Sequence, residues 1–564
     1  MEELKTKIAR VGAERYIDTA KNKMEKSDYL GALGFLYTAL GIERSFVCYK
    51  LLAESYNALF EYETSNKFWY LYLDSCPKNQ VATAYEGLSA NFVAQNDLLH
   101  AGYYFNLLLA EDGTKLQSEL GVEFAESYVQ ATDPKSQFYL AYPSEKANYK
   151  RLEDKAKSAY LTGDFQTAVA TYKMIPPERL SNDAIENLSM CCYVMQDLQT
   201  AIDICRDIVK VKPNNLTALS NLCSIYNLKR EREKAVYYYQ LAKQNYTGSE
   251  EDNYKIVDCA IEQADDAFVV EILQKLTVDN PNQSSLLFPY GIALSNLGFF
   301  ERAERCFSRI CKLFPYDETY AFYAKYVQKI NLTGKDEQQL LPFKYKKEIP
   351  PKLATEYKAR IKELFSDLNK INTNKRNENL KVLKWGLTQE SHVICNDSIL
   401  ALSSCGLPQA RKILLDTLMD VEVSAEVKEK IVFSLILSGY RGKIHVVAGR
   451  FYVKLKGAKL PFDDKPNGTL FVQGYAFALS KLMFWNIDNV NRLVISANKV
   501  YNALNFDAEQ MQLDQREVAA VIISVSDIQK ITQHINVSAM LGVDADKIKN
   551  LIKLVKGDNN DKNN

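Results

Sequence analysis

Four histidines and eleven cysteines are the residues of this chain best suited to hold a metal or act as nucleophiles. A zinc site needs such side chains at short, regular spacings, and nucleophilic catalysis needs a cysteine or serine paired with a base. No histidine stands at such a spacing from another histidine, a cysteine pair or a carboxylate, and the cysteines form no CxxC pair. The sequence therefore predicts no metal site and no catalytic site. The histidines are His100, His392, His445 and His534.

Glycine-rich motifs offer no cofactor site either. The chain has no G-x-G-x-x-G fingerprint and no G-x-S-x-G elbow. The stretch LTGKDE at Leu332 lacks both the upstream glycine and the Ser or Thr after Lys335 that a phosphate loop requires. We expect no cofactor and no enzymatic activity. An enzyme whose site lies in the C-terminal third is an alternative that a metal analysis and a search for a bound cofactor would test.

Composition and charge are typical of a folded protein of the cytoplasm. Lys plus Arg equals Asp plus Glu at 70 each, so no global field attracts nucleic acid or an anionic membrane. The N-terminus has no apolar signal segment, and no stretch is apolar enough to cross a membrane. We therefore expect cytoplasmic localisation and no membrane partner. Cysteines at apolar helical positions, which indicate a reduced compartment, include Cys192, Cys205, Cys223 and Cys306.

Two segments depart from this charge balance. Residues 341–384 carry 12 basic and 5 acidic side chains, whereas residues 249–279 carry 9 acidic and 2 basic ones. These segments are either solvated helix faces or surfaces that dock on each other or on a charged partner. The sequence leaves these interpretations open.

Small side chains recur along the chain at a regular spacing. Spacings of 33, 34, 34 and 34 residues separate Ala168, Ala201, Ala235, Val269 and Ala303, and Pro213, Pro281 and Pro315 follow the same period. The pattern resembles the tetratricopeptide repeat (TPR), a pair of antiparallel helices, in a multi-repeat scaffold of bacterial type. One of the best copies is Leu219-x2-Leu222-Cys223-x2-Tyr226 followed by Ala235-x3-Tyr239.

Helix packing explains the recurring spacing. Counting from the first residue of each first helix, the small residues at places 8 and 20 let two helices approach closely, and the large residue at place 24 fills the neighbouring gap. Pro213 and Pro315 end the second helix. Gly163-Asp164 and Gly298 fall where the two helices of a pair reverse direction.

The predicted fold class is all-α: a TPR superhelical solenoid followed by a helical C-terminal domain with a short β-hairpin. We expect three repeats in residues 1–110, an irregular helical connection at 111–150, five repeats in 151–330 and a linker at 331–352. The C-terminal domain, 353–555, contains a part similar to HEAT hairpins at 380–440 and the β-hairpin at 444–455. Residues 556–564 are too polar to pack and form a predicted disordered tail.

The C-terminal end, residues 534–555, resembles a helix-turn-helix with Gly542 at its turn. This resemblance gives an alternative function, a transcriptional regulator whose repeats sense a partner while its C-terminal end contacts DNA. A structural helical cap fits the same residues, and nucleic acid has no other candidate surface. The DNA-binding candidates are Lys547, Lys549, Asn550 and Lys553.

The TPR resemblance implies binding of a protein or peptide in a concave groove lined by the first helices. Asn187 and Asn221 occupy place 6, where family members hold a peptide backbone with amides, and Tyr160 and Tyr193 lie on or near the groove. Family members that grip acidic chaperone tails use Lys, Arg and Asn at set places, and this chain departs from that set. We therefore predict a non-enzymatic protein-protein interaction scaffold of unidentified partner.

We predict that Ala201→Leu overpacks the contact between the two helices of its repeat and lowers the free energy of unfolding by about 1 to 3 kcal/mol. Thermal unfolding followed by circular dichroism measures the change. An unaltered melting temperature would place Ala201 outside the helix contact and contradict the register.

Overall fold

The structure is a computed structural model, and it divides the chain into two compact units. Unit 1 comprises residues 1–65 and 85–349, and unit 2 comprises residues 66–84 and 350–564. In the described part of the chain every regular element is helical except one two-stranded antiparallel hairpin, which confirms the predicted all-α class. The described residues are 2–95, 97–112, 145–161, 165–195, 197–315, 317–334, 343–389, 391–465, 468–483, 490–505, 508–509, 511–526 and 537–556.

The repeat region is a run of helical pairs, three before residues 113–144 and five after them. Their lengths and 34-residue period are those of TPR pairs, so the resemblance is confirmed at the level of the fold. In chain order the helices are α1 (Glu2–Glu25), α2 (Tyr29–Ile42), α3 (Phe46–Ala58), α4 (Tyr62–Ser75), α5 (Val81–Ala94), α6 (Leu98–Glu111), α7 (Glu145–Leu161), α8 (Phe165–Tyr172), α9 (Asn182–Val194), α10 (Leu198–Val211), α11 (Leu216–Leu228), α12 (Arg232–Gln244), α13 (Glu250–Glu262), α14 (Asp266–Asp279), α15 (Ser284–Asn296), α16 (Phe300–Leu313) and α17 (Glu318–Thr333), with 3-10 turns at Lys78–Gln80 and Pro177–Arg179.

Small side chains set the distance between paired helices. A Cβ atom added to Gly291, at place 8 of α15, would stand 2.8 Å from the Phe307 ring, at place 24 of α16. No larger residue fits there without moving that ring, because interiors are close-packed. The alanines at place 20, Ala168, Ala201, Ala235 and Ala303, are all buried.

A recurring turn joins the two helices of a pair. The residue at place 15 adopts a left-handed backbone, with φ of +61° at Arg230 and +81° at Gly298. The next amide then donates back to the carbonyl of place 11, as Glu231 does to Tyr226 over 2.9 Å. Residues 163 and 164, also predicted to form such a turn, lie outside the described residues.

Within unit 1 the N-terminal pairs contact the last repeat. The Tyr56 hydroxyl of α3 donates to the Leu313 carbonyl of α16 over 2.7 Å and lies 2.8 Å from the Tyr37 hydroxyl of α2. The Glu61 carboxylate accepts the backbone N–H of Ser284. Residues more than two hundred positions apart are thus joined inside one unit.

Unit 2 is helical around a single β-hairpin, and its core is continuous from Ile361 to Leu551. Strand β1 (Lys443–Ala448) pairs antiparallel with β2 (Phe451–Lys456), which confirms the predicted hairpin. Gly449 and Arg450 form its tip, with φ of +54° and +68° as a two-residue turn requires. The helices are α18 (Pro351–Ser366), α19 (Arg376–Gly386), α20 (His392–Ser404), α21 (Pro408–Leu418), α22 (Ala425–Leu437), α23 (Gly468–Leu482), α24 (Val490–Leu504), α25 (Gln515–Val525), α26 (Val537–Leu541) and α27 (Ala545–Lys556), with a 3-10 turn at Leu368–Asn372.

Residues 66–84 belong to unit 2 through one face of α4. Lys67, Tyr70 and Asp74 stand three and four residues apart and therefore point the same way. Lys67 forms a salt bridge with Asp420 at 3.0 Å, and the Tyr70 hydroxyl donates to the Arg450 carbonyl over 2.7 Å. Asp74 pairs with His445 on β1 and accepts from the Tyr452 hydroxyl on β2. The repeat period does not predict this, and the domain boundaries drawn from the sequence stay predictions.

The C-terminal end forms a short helix, a turn and a longer helix. Gly542 closes the turn with φ of +65°, and Ile548 and Leu551 of α27 are buried in the core of unit 2. Residues 534–536 of the predicted motif and the predicted tail from 557 lie outside the described residues. Among the helices that the structure describes, none combines the length and the hydrophobicity that crossing a membrane requires.

Among the described residues of α22, Lys428 is the only ionisable side chain that is buried. It is 3% exposed, and its Nζ donates to the Val447 carbonyl of β1 over 2.6 Å. Burial lowers the pKa of Lys428 from its ordinary value of 10.5 to about 8, although the nearby charge of Asp420 opposes the shift.

We predict that this lysine makes stability depend on pH. Because its pKa is lower in the folded chain, the unfolded chain binds more protons between about pH 8 and about pH 10.5, so stability rises with pH across that window. Lys428→Met keeps the length of the side chain and removes the titration. Urea unfolding of both proteins at several pH values checks this: the variant should lose that rise, and parallel curves would contradict the assignment.

Candidate functional site

The exposed faces of the first helices α9, α11 and α13 form a concave surface. Lys255 on α13 reaches Glu186 on α9, and the Asn182 amide on α9 donates to Glu251 on α13 over 3.2 Å. These side chains are two repeats apart and meet across α11. The face between them is therefore a groove, as the curvature of stacked helical pairs produces.

Apolar side chains stand open to solvent in this groove. Met190 is 48% exposed, Tyr193 52% and Leu228 53%, although each lies on a helix whose opposite side is packed. Ser224 and Asn227 of α11 both hydrogen-bond to the Glu262 carboxylate of α13, at 3.0 and 2.8 Å. We call the following set the open face: Met190, Tyr193, Ser224, Asn227, Leu228, Tyr254, Asp258 and Glu262.

Asp258 is the most unusual charge of the open face. Its side chain is exposed, yet the surrounding protein removes enough water to raise its pKa, and the charge of Glu262 one turn later raises it further. No side chain in the described ranges forms a salt bridge with Asp258. An exposed carboxylate that is desolvated in this way stands in a hollow and lacks a counter-charge.

The predicted backbone-holding amides are already engaged inside the array. Asn221 donates to the Ser189 hydroxyl of the preceding repeat over 3.0 Å. Burial raises the pKa of Tyr172, and a hydrogen bond with Asn187 partly offsets the shift. Asn187 and Asn221 are both half-buried and connect neighbouring helices, so their contact with a ligand stays a prediction.

The two predicted tyrosines differ in environment. Tyr160 of α7 is half-buried, and its ring lies 6.1 Å from that of Phe165 on the second helix of the same repeat. Tyr193 is half exposed on the open face. Of the two, Tyr193 has the free ring surface that stacking on a ligand needs.

An extended segment of the chain itself lies against the first helices α15 and α17 and the start of α14, at the C-terminal end of the repeats. The Asn296 side chain, at the end of α15, accepts the backbone N–H of Phe343 over 2.6 Å and donates to the Phe343 carbonyl over 3.1 Å. One amide thus satisfies both backbone groups of one residue, as an amide with its donor and acceptor can. We call Phe343–Lys347 the bound segment.

The other contacts of the bound segment alternate along it. The Phe343 ring is buried and lies 5.3 Å from the Tyr326 ring of α17. The Tyr345 hydroxyl donates to Asp266, the first residue of α14. Lys344 and Lys346, between them, are exposed. An alternation of period two is that of an extended strand.

Lys347 completes the set with two contacts to α17 and its cap. Its Nζ lies 2.5 Å from the Asp317 carboxylate and 3.9 Å from the centroid of the Tyr320 ring. A cation held by a carboxylate and an aromatic face is a specific arrangement for a basic side chain. The Tyr345 and Asp266 contact also joins the basic and the acidic segments singled out in the sequence, within unit 1.

Sequence reasoning missed this site, although the sequence contains its signal. Phe343 and Tyr345 alternate with Lys344 and Lys346 directly after a proline, which is a pattern typical of an extended segment. The partner amide, Asn296, stands 47 residues earlier, and nothing in the sequence connects the two.

The histidines have structural partners where the structure describes them. His100 lies 2.8 Å from the Asp97 carboxylate that caps α6, His445 pairs with Asp74, and His392 lies 3.4 Å from Glu426 on the surface. The sequence analysis did not foresee these carboxylates. No group of three or more His, Cys, Asp or Glu side chains in the described residues could hold a metal ion. His534 lies outside the described residues.

The DNA-binding candidates lie on α27. Lys547 forms a salt bridge with Glu517 of α25 at 2.6 Å, which uses its charge within unit 2. Lys549, Asn550 and Lys553 are exposed. Three polar side chains on one helix are a small surface for phosphate contacts, so DNA binding stays a prediction.

Comparisons with known proteins find structural neighbours at low sequence identity. No family model and no curated protein matches the sequence. The P58(IPK) TPR domain is 14% identical with a TM-score of 0.22, and the match covers 58% of this chain and 99% of the P58(IPK) chain. Yeast Tom70 is 10% identical with a TM-score of 0.24, and the match covers 95% of this chain and 99% of the Tom70 chain. A chain of the Naa15/Naa10 complex bound to HypK-THB is 14% identical with a TM-score of 0.16, and the match covers 99% of this chain and 96% of that chain.

At such low scores these neighbours carry no argument about function. The TPR likeness of this chain rests on its own helical pairs, their period and their turns.

We predict that Asn296→Ala loosens the bound segment, because both backbone groups of Phe343 lose their partner. Trypsin should then cut after Lys344, Lys346 or Lys347 faster than in the wild-type protein, as followed by mass spectrometry. Asn227→Ala, an amide of the open face, is the matched control and should leave cleavage there unaltered. Equal rates in wild type and Asn296→Ala would contradict the contact.

Proposed function

We propose that this chain is a non-enzymatic protein-protein interaction scaffold that holds an extended segment of its partner on the first helices of its repeats. One observation carries the proposal: the Asn296 amide binds both backbone groups of Phe343. Backbone recognition of this kind does not depend on the sequence of the segment held. The same helical face is therefore able to accept a segment from another protein.

The open face supplies the place for that partner. Its apolar side chains Met190, Tyr193 and Leu228 are each about half exposed, and such side chains bury well against a ligand. Aromatic and methionine side chains are enriched where proteins bind one another. Asn227 stands close to the end of α11, as Asn296 does at the end of α15, and its amide donates to Glu262 and accepts from Gln263 of the next repeat.

The raised pKa values of the repeats support a structural rather than a catalytic role. Burial is the main cause at Cys205, whose pKa rises to about 11, and at Cys306, whose pKa also rises to about 11. A thiol activated for catalysis has a lowered pKa instead. All eleven cysteines are free thiols, which supports our proposal of a cytoplasmic location.

We predict that a photoreactive phenylalanine analogue in place of Tyr193 forms a covalent adduct with the partner when the protein is irradiated in cells of its source. The control carries the analogue at Val278, which is 74% exposed on the second helix α14. Adducts that form from position 193 and not from 278, detected by mass spectrometry, support groove binding. Identical products from both positions, or none from 193, would overturn the proposal.

A further inference from the structure

We infer that the open face binds an extended segment that carries basic side chains together with aromatic or apolar ones, the chemistry of the bound segment Phe343–Lys347. This inference rests on the proposed function and names the kind of partner. Three observations support it: the groups that hold the bound segment, the charge of the open face, and a carboxylate within that face that has no described salt bridge.

The groups that hold the bound segment define a chemistry. An amide binds the backbone at Phe343, the Tyr326 ring of α17 packs against the Phe343 ring, and carboxylates bind the polar ends of Tyr345 and Lys347. The array thus binds a basic and aromatic strand with amides, rings and acids. A second segment of the same composition needs the same three kinds of group.

The open face and its margin supply all three. Asn227 is the amide, and a ligand backbone would replace its present contacts with Glu262 and Gln263. Tyr193 and Tyr254 are rings that are 52% and 39% exposed. The inner positions of α9, α11 and α13 carry five carboxylates and one ammonium group, so the surface is acidic within a chain whose total charges balance. The charged residues are Asp183, Glu186, Glu251, Asp258 and Glu262, and Lys255.

The acidic part is confined to these three repeats. At place 9, where α13 has Asp258, the first helix before α9, which is α7, has the exposed Lys157, and the first helix after α13, which is α15, has the buried Ile292. A basic partner is therefore attracted to α9–α13 and not along the whole array. Complementary charge of this kind fixes the position of a ligand as well as its approach.

One group within the face lacks the partner that a ligand would bring. Burial and the charge of Glu262 raise the pKa of Asp258, and no described side chain forms a salt bridge with it. A lysine or arginine of a ligand beside Asp258 would stabilise its carboxylate in place of the excluded water.

A metal ion and an acidic peptide both fit the face less well. The carboxylates do not form a ligand set of three or more within the described residues. An acidic peptide would place like charges beside Asp258 and Glu262, and such contacts destabilise a complex. The apolar side chains Met190 and Leu228 serve neither of these ligands.

The test measures binding of short fluorescent peptides to the full chain by anisotropy. The probes alternate lysine with tyrosine, glutamate with tyrosine, and lysine with serine. The lysine-tyrosine peptide should bind most tightly, and its affinity should fall as salt is added, because exposed charges are screened. Asp258→Asn with Glu262→Gln should weaken it about tenfold, or about 1.4 kcal/mol. The matched control, Asp203→Asn with Glu233→Gln on the second helices α10 and α12, removes the same charge and should leave binding unaltered.

Several results would overturn the inference. One is tighter binding of the glutamate-tyrosine peptide than of the lysine-tyrosine peptide. Another is an equal loss of affinity in the control variant Asp203→Asn with Glu233→Gln. A third is a loss of affinity in Asn296→Ala but not in Asp258→Asn with Glu262→Gln, which would place the peptide where the bound segment lies. If the peptides fail while Tyr193 still captures a partner, the groove binds a partner of other chemistry and the proposed function stands. If both fail, both are wrong.

Discussion

The contact between a small residue of one helix and a large residue of its pair governs the repeat region. Gly291 and Phe307 show it most sharply, since a single added carbon would meet the ring at 2.8 Å. The same places hold Ser189 and Cys205 in an earlier repeat, where the hydroxyl and the thiol lie 3.6 Å apart. Because each pair nests in this way, the first helices come side by side and their outward positions form one continuous face.

The proposed binding function depends on that face. It holds Phe343 through the two backbone contacts of Asn296, and it leaves Met190, Tyr193 and Asp258 available on α9 and α13. An array that places amides, rings and carboxylates on parallel helices needs no catalytic group to be selective. Its selectivity comes from the spacing of side chains that the stacked repeats fix, and from the local excess of negative charge.

The sequence was sufficient for those features that recur or that depend on neighbouring residues. Ala201, Ala235 and Ala303 predict the helical pairs because each copy repeats the same packing. Gly449 lies in an apolar, β-branched stretch and predicts the hairpin. The turn at place 15 was harder to predict, since Arg230 and Ala264 adopt there the backbone that glycine favours. The contacts of Asn296 with Phe343, of Asp74 with His445, and of Tyr56 with Leu313 join distant parts of the chain once only, so no period reveals them.

Hydrogen exchange at the Phe343 amide, measured by mass spectrometry with site-resolved fragmentation, tests most directly whether the first helices hold an extended backbone. In the folded chain this amide donates to Asn296, and its exchange should be slowed about a hundredfold relative to the same residue in a free peptide. The amide of Lys344, an exposed residue, provides an internal comparison within the same segment. Exchange of Phe343 as fast as in the free peptide would mean that the segment is not held, and the binding role drawn from it would be wrong.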